Sequence, residues 1–506
     1  MSDDQDGNFF VPKPPKPAKP KRQPRPMPEP VSYINGEAEP VTVTPPEFSE
    51  DSLGLRFSGI YGPALKYVAM WNRWMAWDGC LWRPDSTLNV YDLIRRMVRA
   101  ESAGADDPQT RARLAAASTV AAIEKLVRSD RRHARLADAW DPNPWLLNTP
   151  SGIVNLETGE IGPHDPACLM TKCTGVAPAW VGERPDPLVD YCPKWTEFLA
   201  RVTGGDPELQ AYLKRVAGYW LTGLTREHAM WFLYGTGRNG KGVFLNTLTR
   251  IMGDYAMVAS PDTFTADGHN KHLTVLARLQ GARLVVSQET EEGVPWAEAR
   301  IKAVTGGDPI TANFMHRDPF TFIPNFKLAI SGNHKPGLRS VDEAIRARFN
   351  LVPFTVTIPV TERDPGLSEK LWAEAPGILA WAMEGCWDWR HTRLAPPTKV
   401  TAATEEYFDS EDMTALWIAE CCDVTDVRDE TASSLLFECW SWWATKQGER
   451  PGTQKAFSRT MERHGFRKER RTEGVKFLRI MLVKDVSPFW EEPGNFQKHR
   501  PAPSRK

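Results

Sequence analysis

The chain has 506 residues, 41% of them apolar, with 63 basic against 64 acidic side chains. It is too long for one hydrophobic core and predicts two or three domains, and its near-neutral total means that any affinity for a polyanion resides in local patches. Because it has no long apolar run and opens on the acidic MSDDQDGNFF, neither a spanning helix nor a secretory leader is expected, and a soluble, cytoplasmic protein is predicted.

Residues 11–30, VPKPPKPAKPKRQPRPMPEP, combine dense proline with six Lys or Arg. They can neither bury apolar surface nor continue a helix, so residues 1–50 read as a disordered basic tail. Such a tail either attracts nucleic acid or a partner loosely, or solubilises the chain. From 51 to 190 a mixed α/β N-terminal domain is expected. Trp71, Trp74, Trp77 and Trp82 recur within a short span; rings so spaced can stack single-stranded bases, but a core or hairpin face is the reading we favour. TLNVYDLIRRMVRAES and AAASTVAAIEKLVRSD have helical periodicity, and WLLNTPSGIVNLETGEI reads as two strands around a Pro-Ser-Gly turn. The eight cysteines are scattered without a CxxC pair, which predicts reduced thiols. His164, Cys168 and Cys173 lie close together but lack a second ligand pair, so no zinc site is expected.

Residues 191–225 form a helical lead-in of two amphipathic patterns, broken at Gly204 and Gly205, with Asp206 and Pro207 as N-cap and first-turn proline. Residues 226–395 alternate apolar runs with helical patterns, the rhythm of an α/β domain with a largely parallel sheet. HTRLAPPTKV breaks the chain near 396. Beyond it, to about 490, two helical patterns precede the hairpin-like KERRTEGVKFLRIMLV, which suggests a winged-helix-like module, and residues 491–506 form a tail. Residues 453–484 hold ten Lys or Arg against three Glu, an electrostatic footprint for nucleic acid that includes Arg467, Lys468, Arg470 and Arg471.

The chemistry concentrates in WFLYGTGRNGKGVFLNTL. It fits the phosphate-loop (P-loop) pattern G-x-x-x-x-G-K from Gly235 to Lys241, between a strand-like MWFLY and a helix-like VFLNTLTRIM. Glycines let successive backbone N–H groups turn toward phosphate oxygens, and the helix N-terminus adds the positive end of its dipole. Gly235, Thr236, Gly237, Arg238, Asn239, Gly240, Lys241, Gly242 and Val243 are thus the candidate nucleotide contacts, with Lys241 reaching the β- and γ-phosphates of ATP. Position 242 is glycine where the pattern has Ser or Thr, so the hydroxyl expected on Mg²⁺ is missing. About fifty residues later ARLVVSQETEEG offers a strand from Arg283 to Ser287 with Glu289 at its tip, placed to hold Mg²⁺ or activate water; Glu291 and Glu292 are substitutes. KLAISGNHKP ends a further strand in Asn333, placed to sense the γ-phosphate. SVDEAIRARFNLVPF puts Arg346 and Arg348 near the end of a helical pattern, as candidate fingers for transition-state charge.

The ordered set GTGRNGK, LVVSQETEEG, IKAVTGGDPITANFMHRDPFTF, KLAISGNHKP and EAIRARFNLVPF resembles the viral and plasmid superfamily 3 helicases. The branch is the one found at the C-terminal end of phage and plasmid primases and in poxvirus primase-helicases. WDPNPWLLNTPSGIVNLETGEIGPHDP upstream is similar to the domain preceding the helicase core there, so the resemblance spans roughly residues 60–480. It implies an AAA+-like ATPase core in a ring, commonly a hexamer, that separates duplex DNA while moving on a single strand inside a bacterial host. It also implies ATP between subunits, with Lys241 and Glu289 acting in cis and Arg348, or secondly Arg346, in trans. A hairpin in ITANFMHRDPFTFI would point His316 and Arg317 into the channel, with Lys302 in the preceding motif. Primase relatives carry a polymerase domain first; the roughly fifty residues before the matched region are too few for one, so a separate primase is expected. The rival reading is an ATP-switched winged-helix DNA-binding initiator or regulator that does not unwind, which Gly242 slightly favours.

Overall fold

Ser49 opens the first helix, α1 (Glu50–Tyr61), its hydroxyl accepting from Ser52 N at 3.1 Å. The structure, a computed structural model, describes residues 44–179, 191–266, 272–288, 294–313, 319–338, 342–448 and 450–483. The basic tail, Glu289, Glu291, Glu292, His316, Arg317 and Lys484 lie outside the described residues. After α1, β1 (Leu65–Val68), β2 (Arg73–Trp77) and β3 (Trp82–Pro84) form an antiparallel meander. α2 (Asn89–Gly104), α3 (Pro108–Leu114) and α4 (Ala117–Val127) follow, and β4 (Ala134–Arg135) completes a sheet of order β3-β2-β1-β4. Phe57, Trp74, Ile94, Ile123 and Val127 make one core, while Trp82 and Trp140 pack with Val68 and Met75 in a smaller one. The buried indole of Trp74 donates to Glu124 Oε1 at 2.7 Å. The tryptophan spacing therefore serves folding here: Trp74 and Trp82 are buried, and Trp71 and Trp77 pack against the smaller core.

β5 (Leu146–Thr149), β6 (Gly152–Asn155) and β7 (Ile161–Gly162) form a second meander, whose Leu147, Val154 and Leu156 enter the core of the next unit. That unit begins with α5 (Pro193–Thr203) and α6 (Pro207–Leu221). The Asp206 carboxylate accepts from Glu208 N and Leu209 N ahead of Pro207, the cap that the sequence predicts.

A five-stranded parallel sheet occupies the centre. Its strands are β8 (Met230–Tyr234), β9 (Ala256–Val258), β10 (Leu284–Gln288), β13 (Lys327–Gly332) and β14 (Phe349–Pro353), in the order β14-β8-β13-β10-β9. Both faces are covered, so β8, β10 and β13 are buried along almost their whole length and carry apolar runs at Met230–Leu233, Leu284–Val286 and Leu328–Ile330. The crossovers are α7 (Lys241–Met252), α8 (His272–Arg278) and α9 (Glu298–Gly306), the last followed by the hairpin of β11 (Ile310–Ala312) and β12 (Phe320–Phe322), then α10 (Glu343–Arg346). Trp231 and Leu233 face α5, α6, α7 and the later α12 (Ala375–Thr392), whereas Met230 and Phe232 face the side built by α9 and the hairpin. At the crossing of α6 and α12, Gly218 and Gly385 bring backbone onto backbone: a Cβ at Gly218 would stand 2.6 Å from Cys386 Cα.

Two buried cations close the edge of the sheet where the strands begin. Arg283 donates to Leu221 O and Leu146 O, each at 2.6 Å, and Lys327 donates to Thr222 O. They satisfy the last carbonyls of α6, where positive charge opposes the helix dipole, and Arg283 ties the second meander to the sheet. Burial lowers the pKa of both groups.

After α11 (Leu367–Ala373) and α12, the break near 396 is a bend between helices. α13 (Thr398–Glu411) packs Tyr407 and Phe408 against Phe349 of β14 and shares the core of the sheet. A separate core starts with α14 (Met413–Cys421). It continues through β15 (Cys422–Asp423), β16 (Glu430–Ala432), α15 (Ser433–Lys446), α16 (Gln454–Arg463), β17 (Lys468–Arg471), β18 (Gly474–Leu478) and β19 (Met481–Leu482). Its antiparallel sheet has the order β16-β18-β17. Among the described residues no helix is long and apolar enough to cross a membrane.

Candidate functional site

All five central strands run the same way, so the loops after β8, β10, β13 and β14 gather on one edge. The loop after β8 leaves the strand at Gly235 and turns sharply through Gly237, Arg238 and Gly240, at φ 91°, 53° and 86°. Glycine suits Gly237 and Gly240, and Arg238 is a non-glycine exception. The loop is anchored underneath: a Cβ at Gly235 would lie 3.1 Å from Phe354 C, and one at Gly240 would press to 3.0 Å from the Phe198 ring of α5. Asn239, 2% exposed, donates to Phe354 O at 2.6 Å, and Arg238 O accepts from Ile358 N. The lead-in helix and the segment after β14 therefore shape the turn.

Lys241 begins α7 and is 6% exposed. Its Nζ donates to Gly235 O at 2.7 Å and to Asn239 Oδ1 and Asn333 Oδ1, each at 3.2 Å. Burial lowers its pKa. Strand register explains the meeting with Asn333: Gly332 pairs with Tyr234, so the residues following both emerge side by side. Among the described residues, a Cβ at Gly242 meets no heavy atom of another segment within 4 Å; Val243 is half-buried against the core, and Thr236 is exposed.

The end of β10 also reaches this edge. Ser287, fully buried, has a hydroxyl without a hydrogen-bond partner among the described residues, and Gln288 Nε2 donates to Asn246 Oδ1 of α7 at 2.7 Å. Sequence reasoning does not single out Gln288–Asn246, nor Lys335, whose ammonium stands 4.4 Å from the centre of the Tyr234 ring just before the loop. A lysine two residues past Asn333 was the available signal for the latter.

The arginines lie elsewhere. Arg348 O accepts from Met230 N, so Arg348 stands where β8 begins, whereas Lys241 follows where it ends. A five-residue strand separates the two edges, about 13 Å along the sheet. Arg348 Nη1 donates to Ala344 O at 2.5 Å, and its buried Nε has no partner among the described residues. Arg346 lies over the Phe408 ring, 3.7 Å from Asp409. Lys302 does not project alone: its Nζ pairs with Asp342 at 2.5 Å. In the C-terminal unit Arg467 and Arg470 are exposed, while Lys468 pairs with Glu462 at 2.9 Å and Arg471 with Glu469 at 3.0 Å.

Residues 54–204 match the family described as D5 N terminal like, and residues 233–348 match a family of unknown function, DUF5906, whose span takes in the glycine turn, Lys241, Asn333 and Arg348. The chain is 24% identical over 286 residues to "Putative helicase L207/L206" of Acanthamoeba polyphaga mimivirus and 27% identical over 250 residues to "Putative helicase 022R" of Frog virus 3. The first part of the chain is thus similar to a D5-like N-terminal family, and the chain is similar to viral proteins named putative helicases. The aligned parts make up 53% and 45% of this chain but 29% and 25% of those viral proteins. Among solved structures, the apo NrS-1 C-terminal region (305–718) is 13% identical, with 76% of this chain and 79% of that chain covered and a TM-score of 0.45. A second form, covering 68% and 72%, has a TM-score of 0.42. Likenesses of this size carry no argument about the site.

Proposed function

We propose that the chain is the motor part of an ATP-dependent DNA helicase of the superfamily 3 kind, acting in phage or plasmid replication. One observation carries the reading. A buried lysine opens a helix beneath a glycine turn, on the edge of a parallel sheet where strands end, and touches an asparagine from the neighbouring strand. In this reading the loop is a P-loop on an AAA+-like core. The first N–H groups of α7, which have no carbonyl one turn back, face the phosphates of ATP. Lys241 exchanges its contact with Gly235 O for a phosphate oxygen, and Asn333, already in reach of the same ammonium, orients the terminal phosphate. Mg²⁺ would be held by Glu289 and water, since Gly242 has no hydroxyl to offer; it would supply charge neutralisation at the phosphates.

Arg348, with Arg346 beside it, serves the site of the next subunit, which requires a homo-oligomer, most simply a hexameric ring around single-stranded DNA. The C-terminal unit is read as winged-helix-like: α14, β16, α15, α16 and the β17–β18 hairpin follow that order, and Arg467 and Arg470, which have no ion pair among the described residues, present positive charge to DNA. A separate primase and a cytoplasmic site of action in the host cell complete the proposal. Gly242 keeps a second reading in play, an ATP-switched DNA-binding initiator that assembles without unwinding.

Forked-duplex unwinding with ATP separates the two. The motor releases the displaced strand, and Lys241→Ala abolishes both release and hydrolysis; assembly on the fork without release favours the switch. Full turnover by Lys241→Ala would remove the phosphate-loop assignment altogether.

A further inference from the structure

The segment that carries both arginines has little structure of its own. α10 is a single turn, too short to be stable by itself, so its pose is set by what it packs against. α9 holds it at two points. Asp342 Oδ1 accepts from Ile345 N at 2.9 Å and caps α10, and the same carboxylate takes Lys302 Nζ at 2.5 Å through Oδ2. The two side chains are 28% and 31% exposed, so the pair is partly withdrawn from water. One turn further along, α9 ends beside the second arginine: a Cβ at Gly306 would stand 3.7 Å from Arg348 Nη2. Thr305 O meets His228 Nδ1 at 3.1 Å, fastening that end of α9 to the chain just before β8. From Gly306 the backbone passes through Gly307, at φ 77°, and then Asp308 and Pro309 into β11 of the hairpin.

We propose that Lys302 is a positioning residue for the arginine segment and not a phosphate contact, and that α9 links the pose of Arg346 and Arg348 to that of the β11–β12 hairpin. The Lys302–Asp342 pair fixes the start of α10, and Gly306 sits against the guanidinium at its end. A shift of the hairpin pulls on the C-terminal end of α9 and moves both supports together. The inference rests on the proposed motor, in which the hairpin faces DNA and the arginines complete a neighbour's site. It adds a route by which DNA at one subunit adjusts hydrolysis at the next.

The test measures ATP turnover with and without single-stranded DNA, together with DNA affinity across a salt series, for the wild type, Lys302→Met, Lys302→Arg and Asp342→Asn. Misplacing a catalytic group by an ångström costs about 100-fold, so Lys302→Met is expected to lower kcat by about 10- to 100-fold with the KM for ATP, DNA affinity and salt slope unchanged. Lys302→Arg keeps the pair and restores most of the rate. Mixing gives a signature that general instability does not: Lys302→Met recovers turnover when mixed with Lys241→Ala, whose arginine face is intact, but not with Arg348→Ala. Asp342→Asn retains a capping oxygen and gives the same pattern if Lys302→Met fails to fold. Wild-type turnover in Lys302→Met, a reduced DNA salt slope in that variant, or recovery with Arg348→Ala overturns the inference. Absence of hydrolysis in the wild type instead overturns the motor, and the inference with it.

Discussion

Replacing Gly242 by serine puts back the hydroxyl that the phosphate-loop pattern calls for, and the structure sets the cost. Among the described residues, no heavy atom beyond the chain neighbours and the helix's own backbone lies within 4 Å of the new Cβ, so no steric penalty from them offsets the gain in helix propensity. Glycine costs a helix about 0.5–1 kcal/mol relative to alanine, and serine roughly half of that, which leaves a gain of about 0.5 kcal/mol. Calorimetry should record a rise of about 1–2 °C for a domain of this size. If the added oxygen also reaches Mg²⁺ with the strength of one hydrogen bond, about 1 kcal/mol, half-saturating Mg²⁺ for hydrolysis falls about fivefold. Gly242→Ala separates the effects, since it shares the propensity gain and lacks the oxygen. A lower melting temperature for both variants would mean that the space beside Gly242 is filled. Equal Mg²⁺ dependence for serine and alanine would mean that the metal is held away from α7.

Gly218→Ala drives a methyl group into the backbone of α12 and should cost about 3 kcal/mol in denaturant unfolding; a loss under about 0.5 kcal/mol would refute the backbone contact. Lys66 donates to Gly62 O and Arg132 O, and burial first, then the charge of Arg135, bring its pKa from 10.5 down to about 8. The folded chain thus binds fewer protons than the unfolded chain between about pH 8 and 10.5, so this residue adds stability as pH rises through that window. Lys66→Met removes that slope, and identical pH profiles for the two proteins would contradict the assignment. Neutralising Arg467 and Arg470 should lower the salt slope of DNA binding by about two, and neutralising the ion-paired Lys468 and Arg471 by less. Equal effects from the two pairs would show that the ion pairs open on DNA.

What the sequence disclosed were features written within a few residues. The runs of β8 and β13 are apolar because both faces of the sheet are covered, and Asp206–Pro207 starts α6 by local hydrogen bonding. The glycine turn and its lysine were legible for the same reason. Features that depend on distant partners were not. Arg283 and Lys327 look like charged flanks of strands, yet both are buried because carbonyls from α6 and β5 await them. Lys302 sits in a motif that suggested DNA, and its partner lies forty residues away. The prolines near 396 mark a bend, but only Tyr407 and Phe408 against Phe349 reveal that the helix beyond it still belongs to the sheet.

Lys241 and Arg348 sit at opposite ends of β8, and the stiffness of that strand governs how they can cooperate. A parallel sheet covered on both faces cannot fold over to bring its edges together, so no motion within one chain places Arg348 on a phosphate held by Lys241. In the proposed motor the arginine therefore addresses a second copy. A contact between the start edge of one sheet and the end edge of the next joins unlike surfaces, the kind that repeats around a closed ring. The buried pair Arg283 and Lys327 stiffens the start edge by fastening it to α6, and α5, which packs on α6, lies against the loop that cradles Lys241. Each subunit then presents a rigid donor edge and a rigid acceptor edge, leaving the short arginine segment, held through Lys302 and Asp342, as the element best able to move between them.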